Sequence, residues 1–458
     1  MTKKLWGTRF SKSPSPLTEK FTSSISFDQR LAKYDILGSI AHVQMLGRQK
    51  IISAKDAKII IKGLDSLLSE LNHGKFKFDP KAEDIHSNIQ QALFKKVGRV
   101  ADKLHTARSR NDQIVLDVKM YLKDEINILI KLIAELQKTI LRFAKDNQKI
   151  IIPGYTHLQV AQCVLLAHHL LAYIEGLERD KQRLFEAEKR LDRLPLGACA
   201  LAGTGLAIDR EFVRRRLGFR HLTENSIDTV SDRDYILEVL ADLSILAVHL
   251  SRMAEDLILW STKEFNFIDI DYTFCTGSSI MPHKKNPDVL ELIRASVGKI
   301  QADFSSVLIL MKGLPLSYNR DLQLDKPPLF DAIDTIKDIL EVFIPLFKNI
   351  TIKKETISAK LKDESLFSVD IVEYLIKKGV SYREAHDIVG RMVRDTLDKG
   401  KKISDLSETQ LKAYSLKLGP DVKEILNAGK SVNLKKSFGS TNPRQVAQQL
   451  NKWMKKLK

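Results

Sequence analysis

The sequence predicts an all-α protein: an elongated bundle of long helices flanked by two smaller helical domains. Three observations carry this expectation. Turn-forming residues are scarce, with only 21 glycines and 13 prolines in 458 residues, whereas the pair makes up roughly 12% of ordinary proteins. An all-β chain needs many short strands and as many turns, so this composition argues against one. Residues 99–152 hold neither glycine nor proline, and apolar residues recur through them at helical spacing. Finally, 43% of the residues are hydrophobic and 29% charged, a globular balance with enough apolar surface for a large core.

In chain order, residues 1–30 contain Ser11-Lys12-Ser13-Pro14-Ser15-Pro16 and are expected to form an extended arm. Helical spacing begins with Leu31, Tyr34, Ile36 and Leu37, and returns over residues 59–71 until Asn72-His73-Gly74 stop it. The longest pattern follows. Val115, Val118, Leu122, Ile126, Leu129, Ile133, Leu136, Ile140 and Phe143 are spaced 3-4-4-3-4-3-4-3, which predicts an amphipathic helix of about eight turns. A second long helix is expected over residues 160–194, before Pro195. A third is expected over residues 235–265, with Leu237, Leu240, Leu243, Leu246, Leu250 and Met253 on one face. A fourth runs from Pro287 to about Lys312, and a fifth follows Pro327-Pro328 and ends near Asn349. Several of these helices are apolar on more than one face, which suggests a helical oligomer core. From about Thr356 the helices shorten and glycines return, as expected of a small separate domain. The predicted division is therefore 1–107, 108–355 and 356–458, with no internal repeat.

Several function classes fall away. No run of about 18 apolar residues exists, so no membrane span is expected. Lys3 and Lys4 near the start are not followed by an apolar segment, so no secretory signal is expected. Cys163, Cys199 and Cys275 lie far apart and form no CxxC pair, which reads as reduced thiols in a cytoplasmic protein. The formal net charge is +17, and such a surplus can mark a polyanion partner. Here the lysines are spread along the chain, with only a short basic run over residues 452–458. Neither zinc-finger spacing nor an RNA-binding aromatic motif accompanies them, so a solvated surface is expected and no nucleic-acid partner.

The polar clusters fall in the breaks between long helices, where a rigid scaffold can present reactive loops. Residues 276–288 combine Gly277, Ser278, Ser279, His283, Lys284 and Lys285 with Asn286-Pro287, a helix start with Asn at the cap. Hydroxyls and lysines beside a helix N-terminus favour an anion. Residues 104–113 pack His105, Arg108, Arg110 and Asn111 just before the longest helix, and arginine can hold a carboxylate with two parallel hydrogen bonds. Thr156-His157 fill the break between the first and second long helices, where a histidine can act as a general acid or base. Residues 314–326, with Tyr318, Gln323 and Lys326, link the fourth and fifth helices. Smaller sets are Ser23-Ser24 with Asp28, and Glu83-Asp84-Ile85-His86. None of these has metal-ligand spacing, no phosphate-binding loop matches, and Gly203-Thr204-Gly205 follows no clear strand.

Residues 277–288 (GSSIMPHKKNPD) resemble the signature loop of the fumarase/aspartase superfamily. Residues 104–113 (LHTARSRNDQ), 154–159 (GYTHLQ) and 314–326 (LPLSYNRDLQLDK) narrow the resemblance to the argininosuccinate lyase family, and it covers essentially the whole chain in order. The resemblance implies cleavage of argininosuccinate to arginine and fumarate, in arginine biosynthesis, with no metal and no organic cofactor. It implies that Ser278 is the proton-abstracting base and that Lys284 and Asn286 stabilise the aci-carboxylate. Thr156 and His157 match the acid-side pair, with Glu291 orienting the histidine; which of the two delivers the proton stays open. Ser24, Arg110, Asn111, Asn286, Tyr318, Gln323 and Lys326 are implied as substrate ligands, with His86 as a further candidate. The resemblance also implies a homotetramer whose active sites are shared between subunits. The chain departs from the family pattern at His283, Ala107, Val160 and Cys163, none of which removes an expected catalytic group. The loop around Ser278 is expected to be mobile without substrate. A superfamily lyase acting on adenylosuccinate, or a catalytically silent structural relative, is the alternative that these motifs argue against.

Overall fold

The computed structural model describes residues 14–457, and it is all-α apart from four two-stranded sheets. Five long helices form the frame: Arg110–Asp146, Leu166–Leu191, Asp234–Ser261, Asp288–Met311 and Lys326–Lys348. The described residues divide into two compact units. One holds residues up to Ile130, Gln182–Ser244 and Gly298–Ile336; the other holds Lys131–Lys181, Ile245–Val297 and everything from Lys337 on. Each long helix passes from one unit into the other.

In the first unit, Ser53 caps the helix Ala54–Asn72 by accepting the Asp56 N–H, and the helix packs against Ala32–Arg48 and Ile85–Val97. Gly63 lets the helices approach closely, because a Cβ would meet Leu93 Cδ1 at 2.6 Å and the Leu93 side chain would have to shift. The predicted apolar stripe of the longest helix is buried: Val115, Val118, Leu122, Ile126 and Leu129 are all enclosed. Each such side chain contributes about 1.5–3 kcal/mol relative to exposure. Tyr121 packs edge-on between Tyr34 and Phe330.

In the second unit, Ile133, Leu136 and Ile140 continue the stripe, and Phe143 meets Phe347 edge-on. The chain beyond Lys354 forms short helices around a core that includes Ile371, Leu375, Val389, Met392, Leu411 and Val422. Cys163 is buried with Leu366, Phe367 and Val432, and burial pushes its thiol up to about 12.

Three sequence expectations need correction. Residues 1–13 of the expected arm lie outside the described residues, but Pro16–Thr22 is helical, because Ser15 accepts the Thr18 N–H and proline suits the first turn. The second long helix starts at Leu166, since Gln159–Leu165 is a strand paired with Ile151–Thr156. A run of β-branched and apolar residues at 150–152 and 160–165 suits either period, and the intervening turn decides for the hairpin. Asn286 lies in a two-residue strand opposite Thr276, and the fourth helix begins at Asp288, so Asn286 is not its cap.

Candidate active site

The expected site residues divide cleanly between the two units. Ser24, His86, Arg110, Asn111, Tyr318, Gln323 and Lys326 fall in the first; Thr156, His157, Ser278, Lys284, Asn286 and Glu291 fall in the second.

In the first unit, a buried polar cluster lies at the starts of three helices. Ser24 precedes the short helix Ile25–Asp28, donates to Asp28 Oδ2 at 2.6 Å and gives its N–H to the Glu83 carbonyl at 2.8 Å. Asp84 caps the helix Ile85–Val97 by accepting the Ser87 N–H at 2.7 Å, and also holds Arg110 Nε at 2.7 Å. Arg110 donates in addition to Ser87 Oγ at 2.9 Å, so its guanidinium is fixed in direction before any ligand arrives. Gln323 donates to the Thr22 carbonyl at 3.2 Å, and Arg320 reaches the same carbonyl and Glu83. These bonds bring residues 22–24, 83–87 and 320–323 together.

Behind this surface His86 Nδ1 lies 3.3 Å from Asp35 Oδ2 and 3.7 Å from Asp117 Oδ2. Burial alone would raise Asp35, yet His86, Arg108 and Gln113 hold its carboxyl down to about 2. Asp117 is the opposite case: burial raises it well above the usual carboxylate range, and neither of its oxygens has a hydrogen-bond partner. His42, with Nε2 2.8 Å from the Thr106 carbonyl, is pushed down to about 3 by burial and by Arg108. Asp35, His86 and Asp117 each offer one ligand atom within 4.8 Å of the others. The buried Arg108 beside them already supplies positive charge, which makes this donor set a poor match for a metal ion.

Asn111 and Lys326 are held differently. The Asn111 carboxamide donates to the Ala200 carbonyl at 3.0 Å. Lys326 is buried, with Nζ 2.7 Å from Asp325 Oδ1 and 3.1 Å from the Leu322 carbonyl. The other Asp325 oxygen pairs with the buried Arg233. Tyr318 sits half-buried near Arg233, and its hydroxyl is raised by burial. Asp35, Asp117 and Arg233 were not singled out by sequence reasoning, and Asp112 and Asp325 entered only as members of the 104–113 and 314–326 runs. A signal existed: Gln113 and Asp117 stand four residues apart, interrupting the apolar helix with a polar pair on one face.

In the second unit, Thr156 and His157 form the tip of the hairpin. Thr156 pairs with Gln159, leaving a two-residue turn. His157 and Leu158 both have positive φ, 56° and 57°, which matches the twist that tight hairpins need but strains residues carrying a Cβ. Tyr155 anchors the strand by packing on Phe265 and Phe267. Gly154 is needed at the bulge, where a Cβ would meet the Gln162 carbonyl at 3.0 Å. The tip side chains are exposed.

The 277–286 loop is closed by Gly277 pairing with Lys285 and Thr276 with Asn286. Lys285 is tied back to Asp269 and lies over the Tyr272 ring at 4.0 Å, whereas Lys284 is exposed. Within the loop, Ser278 Oγ accepts the N–H groups of Ile280 at 3.3 Å and Met281 at 3.0 Å. Two backbone donors aimed at one hydroxyl oxygen are suited to hold negative charge there. His157, Lys284 and Glu291 are exposed and make no side-chain hydrogen bond to other described residues, and Glu291 lies in the field of Arg294.

Comparison with known proteins is consistent along the whole chain. A lyase family model matches residues 8–302, and an argininosuccinate lyase C-terminal model matches residues 366–433. The chain is 47% identical over 455 residues to the argininosuccinate lyase of Pelotomaculum thermopropionicum, covering 99% of each. It is 47% identical over 454 residues to that of Desulforudis audaxviator, again covering 99% of each. Among solved structures, an EDDS lyase in complex with formate superposes with a TM-score of 0.85 at 26% identity, covering 98% of this chain and 91% of that one. A class II fumarase from Schistosoma mansoni, at 18% identity, TM-score 0.74 and coverage of 88% and 91%, shares the fold.

Proposed function

Because this chain belongs to the argininosuccinate lyase family and cleaves argininosuccinate to arginine and fumarate, we propose that Ser278 is the base of that reaction and the hairpin tip its acid side. The observation that supports Ser278 is the pair of N–H groups, from Ile280 and Met281, directed at its hydroxyl oxygen. A serine is a weak base until its alkoxide is stabilised. In the proposed step, ionised Ser278 takes the proton from the succinyl carbon next to a carboxylate. The freed electron pair delocalises into that carboxylate, where Lys284 and Asn286 meet the growing charge. The pair then forms the fumarate double bond as the carbon–nitrogen bond breaks, and Thr156 or His157 supplies a proton to the departing guanidino nitrogen, with Glu291 orienting the histidine. Ser24, Arg110, Asn111, Asn286, Tyr318, Gln323 and Lys326 are assigned to binding. The fixed fork of Arg110, already aligned by Asp84 and Ser87, suits a substrate carboxylate.

The proposal includes a cytoplasmic homotetramer with sites drawn from more than one copy, and a functional division at 1–107, 108–355 and 356–458. Leu292, Leu308 and Ile309, all strongly exposed on the helix Asp288–Met311, support an oligomer face. Among the described residues no helix is long and apolar enough to cross a membrane.

Incubating the protein with argininosuccinate and following fumarate by its ultraviolet absorbance tests the roles. Wild type is expected to form fumarate, and Ser278→Ala to lose about 10³-fold or more in kcat, the scale of losing an activated group. A Ser278→Ala variant that keeps wild-type kcat would remove Ser278 from the role of base.

A further inference from the structure

Asp112 is completely buried two residues into the helix Arg110–Asp146, and its carboxylate is fully occupied by backbone. One oxygen accepts the Ser109 N–H at 3.0 Å; the other accepts the N–H groups of Gly197 at 2.9 Å and Cys199 at 2.8 Å. The loop it grips is tightly wound. Gly197 has φ +101°, Cys199 φ +55° and Gly203 φ +73°, and the left-handed backbone is unfavourable for a cysteine unless its surroundings impose it. Arg210 also holds the loop, donating to the Leu196 carbonyl at 3.0 Å and to the Leu194 carbonyl at 3.2 Å. A carboxylate suits this position because it offers acceptors in three directions, whereas a carboxamide would turn an NH₂ toward one of the three N–H groups.

The residue after this grip is Ala200, and its carbonyl receives the Asn111 carboxamide at 3.0 Å. Neighbouring side chains on the helix start therefore meet the loop in complementary ways, Asp112 through two N–H groups and Asn111 through one carbonyl. With one hydrogen committed to Ala200, Asn111 keeps its oxygen and a second N–H for a ligand.

We propose that Asp112 is a positioning residue for substrate binding: it locks residues 197–200 so that the Ala200 carbonyl orients the Asn111 carboxamide toward argininosuccinate. The inference rests on the assignment of Asn111 as a substrate ligand.

The test is a double-mutant cycle on KM and kcat, using Asn111→Ala, Asp112→Asn and the double variant, with folding checked by circular dichroism. Asn111→Ala is expected to raise KM. Asp112→Asn should raise KM about 10-fold, within the range of coupled neighbours, while changing kcat much less. In the Asn111→Ala background it should add no more than about twofold. Gly197→Ala disturbs the same loop through a different contact, since its Cβ would meet the Arg210 side chain at 2.8 Å; it should show the same rise and the same non-additivity. It serves as the cycle partner if Asp112→Asn does not fold. Equal KM increases in both backgrounds would overturn the positioning role and leave Asn111 as a ligand. An unchanged KM for Asn111→Ala would instead overturn the assignment of Asn111, and the inference with it.

Discussion

Replacing Asp325 by asparagine keeps the shape of a buried side chain and removes its charge. In the wild type that one carboxylate lies between two buried cations, Arg233 on one oxygen and Lys326, at 2.7 Å, on the other. Breaking a buried ion pair by neutralising one partner costs about 3–5 kcal/mol, because the remaining charge is left uncompensated. Here two cations would be left side by side, so the upper half of that range is expected. At about 2–4 °C per kcal/mol for units of this size, the unfolding midpoint should fall by roughly 10 °C or more. The sign of the pH dependence follows from Lys326. Burial already lowers its pKa, and Asp325 is the main influence that raises it. In the variant the native state therefore holds fewer protons than the unfolded chain between the lowered native pKa of Lys326 and the ordinary lysine value of about 10.4, so its stability rises with pH across that window. Thermal unfolding by circular dichroism at fixed protein concentration, at pH 7 and pH 9, reads both effects. A midpoint shift below about 2 °C, or a gap to wild type that fails to narrow at pH 9, would refute the reasoning.

Three further outcomes are expected. His42 is held down to about 3, so the unfolded chain takes a proton that the native state refuses, and stability is lost as pH falls from about 6.5 toward 3. The urea-unfolding difference between wild type and His42→Gln should change by about 1.4 kcal/mol per pH unit across that window, and a pH-independent difference would contradict it. Gly63→Ala should destabilise by about 1–3 kcal/mol through overlap with Leu93 and Val97, measured by chemical denaturation. Under native conditions, iodoacetamide should label Cys275 well before the buried Cys163, as peptide mass mapping would show.

The long helices were legible because their apolar residues repeat over many turns. The stripe from Val115 to Ile140 is buried as its spacing requires. The hairpin at 151–165 was not, since a short apolar run carries no period long enough to separate strand from helix, and the two residues at its turn are not the usual glycine and asparagine. The site motifs were legible as residue types in helix breaks. Their support was not. Asp112 spans 85 positions to reach Gly197, and Arg233 spans 92 to reach Asp325. Such pairings are fixed by how helices pack, and no local pattern encodes them.

The turn at His157 and Leu158 has a consequence for anyone improving this protein. Two residues with side chains sit where glycine or asparagine would be more comfortable, at a cost of about 1 kcal/mol or more each. A search for thermostable variants that scores folding alone would rank His157→Gly or His157→Asn among its attractive changes. Such variants would survive heating better while losing the imidazole at the tip. With the acid role proposed for His157, selection on melting temperature and selection on turnover diverge at this turn, and a library screened by both would record that conflict at position 157 first.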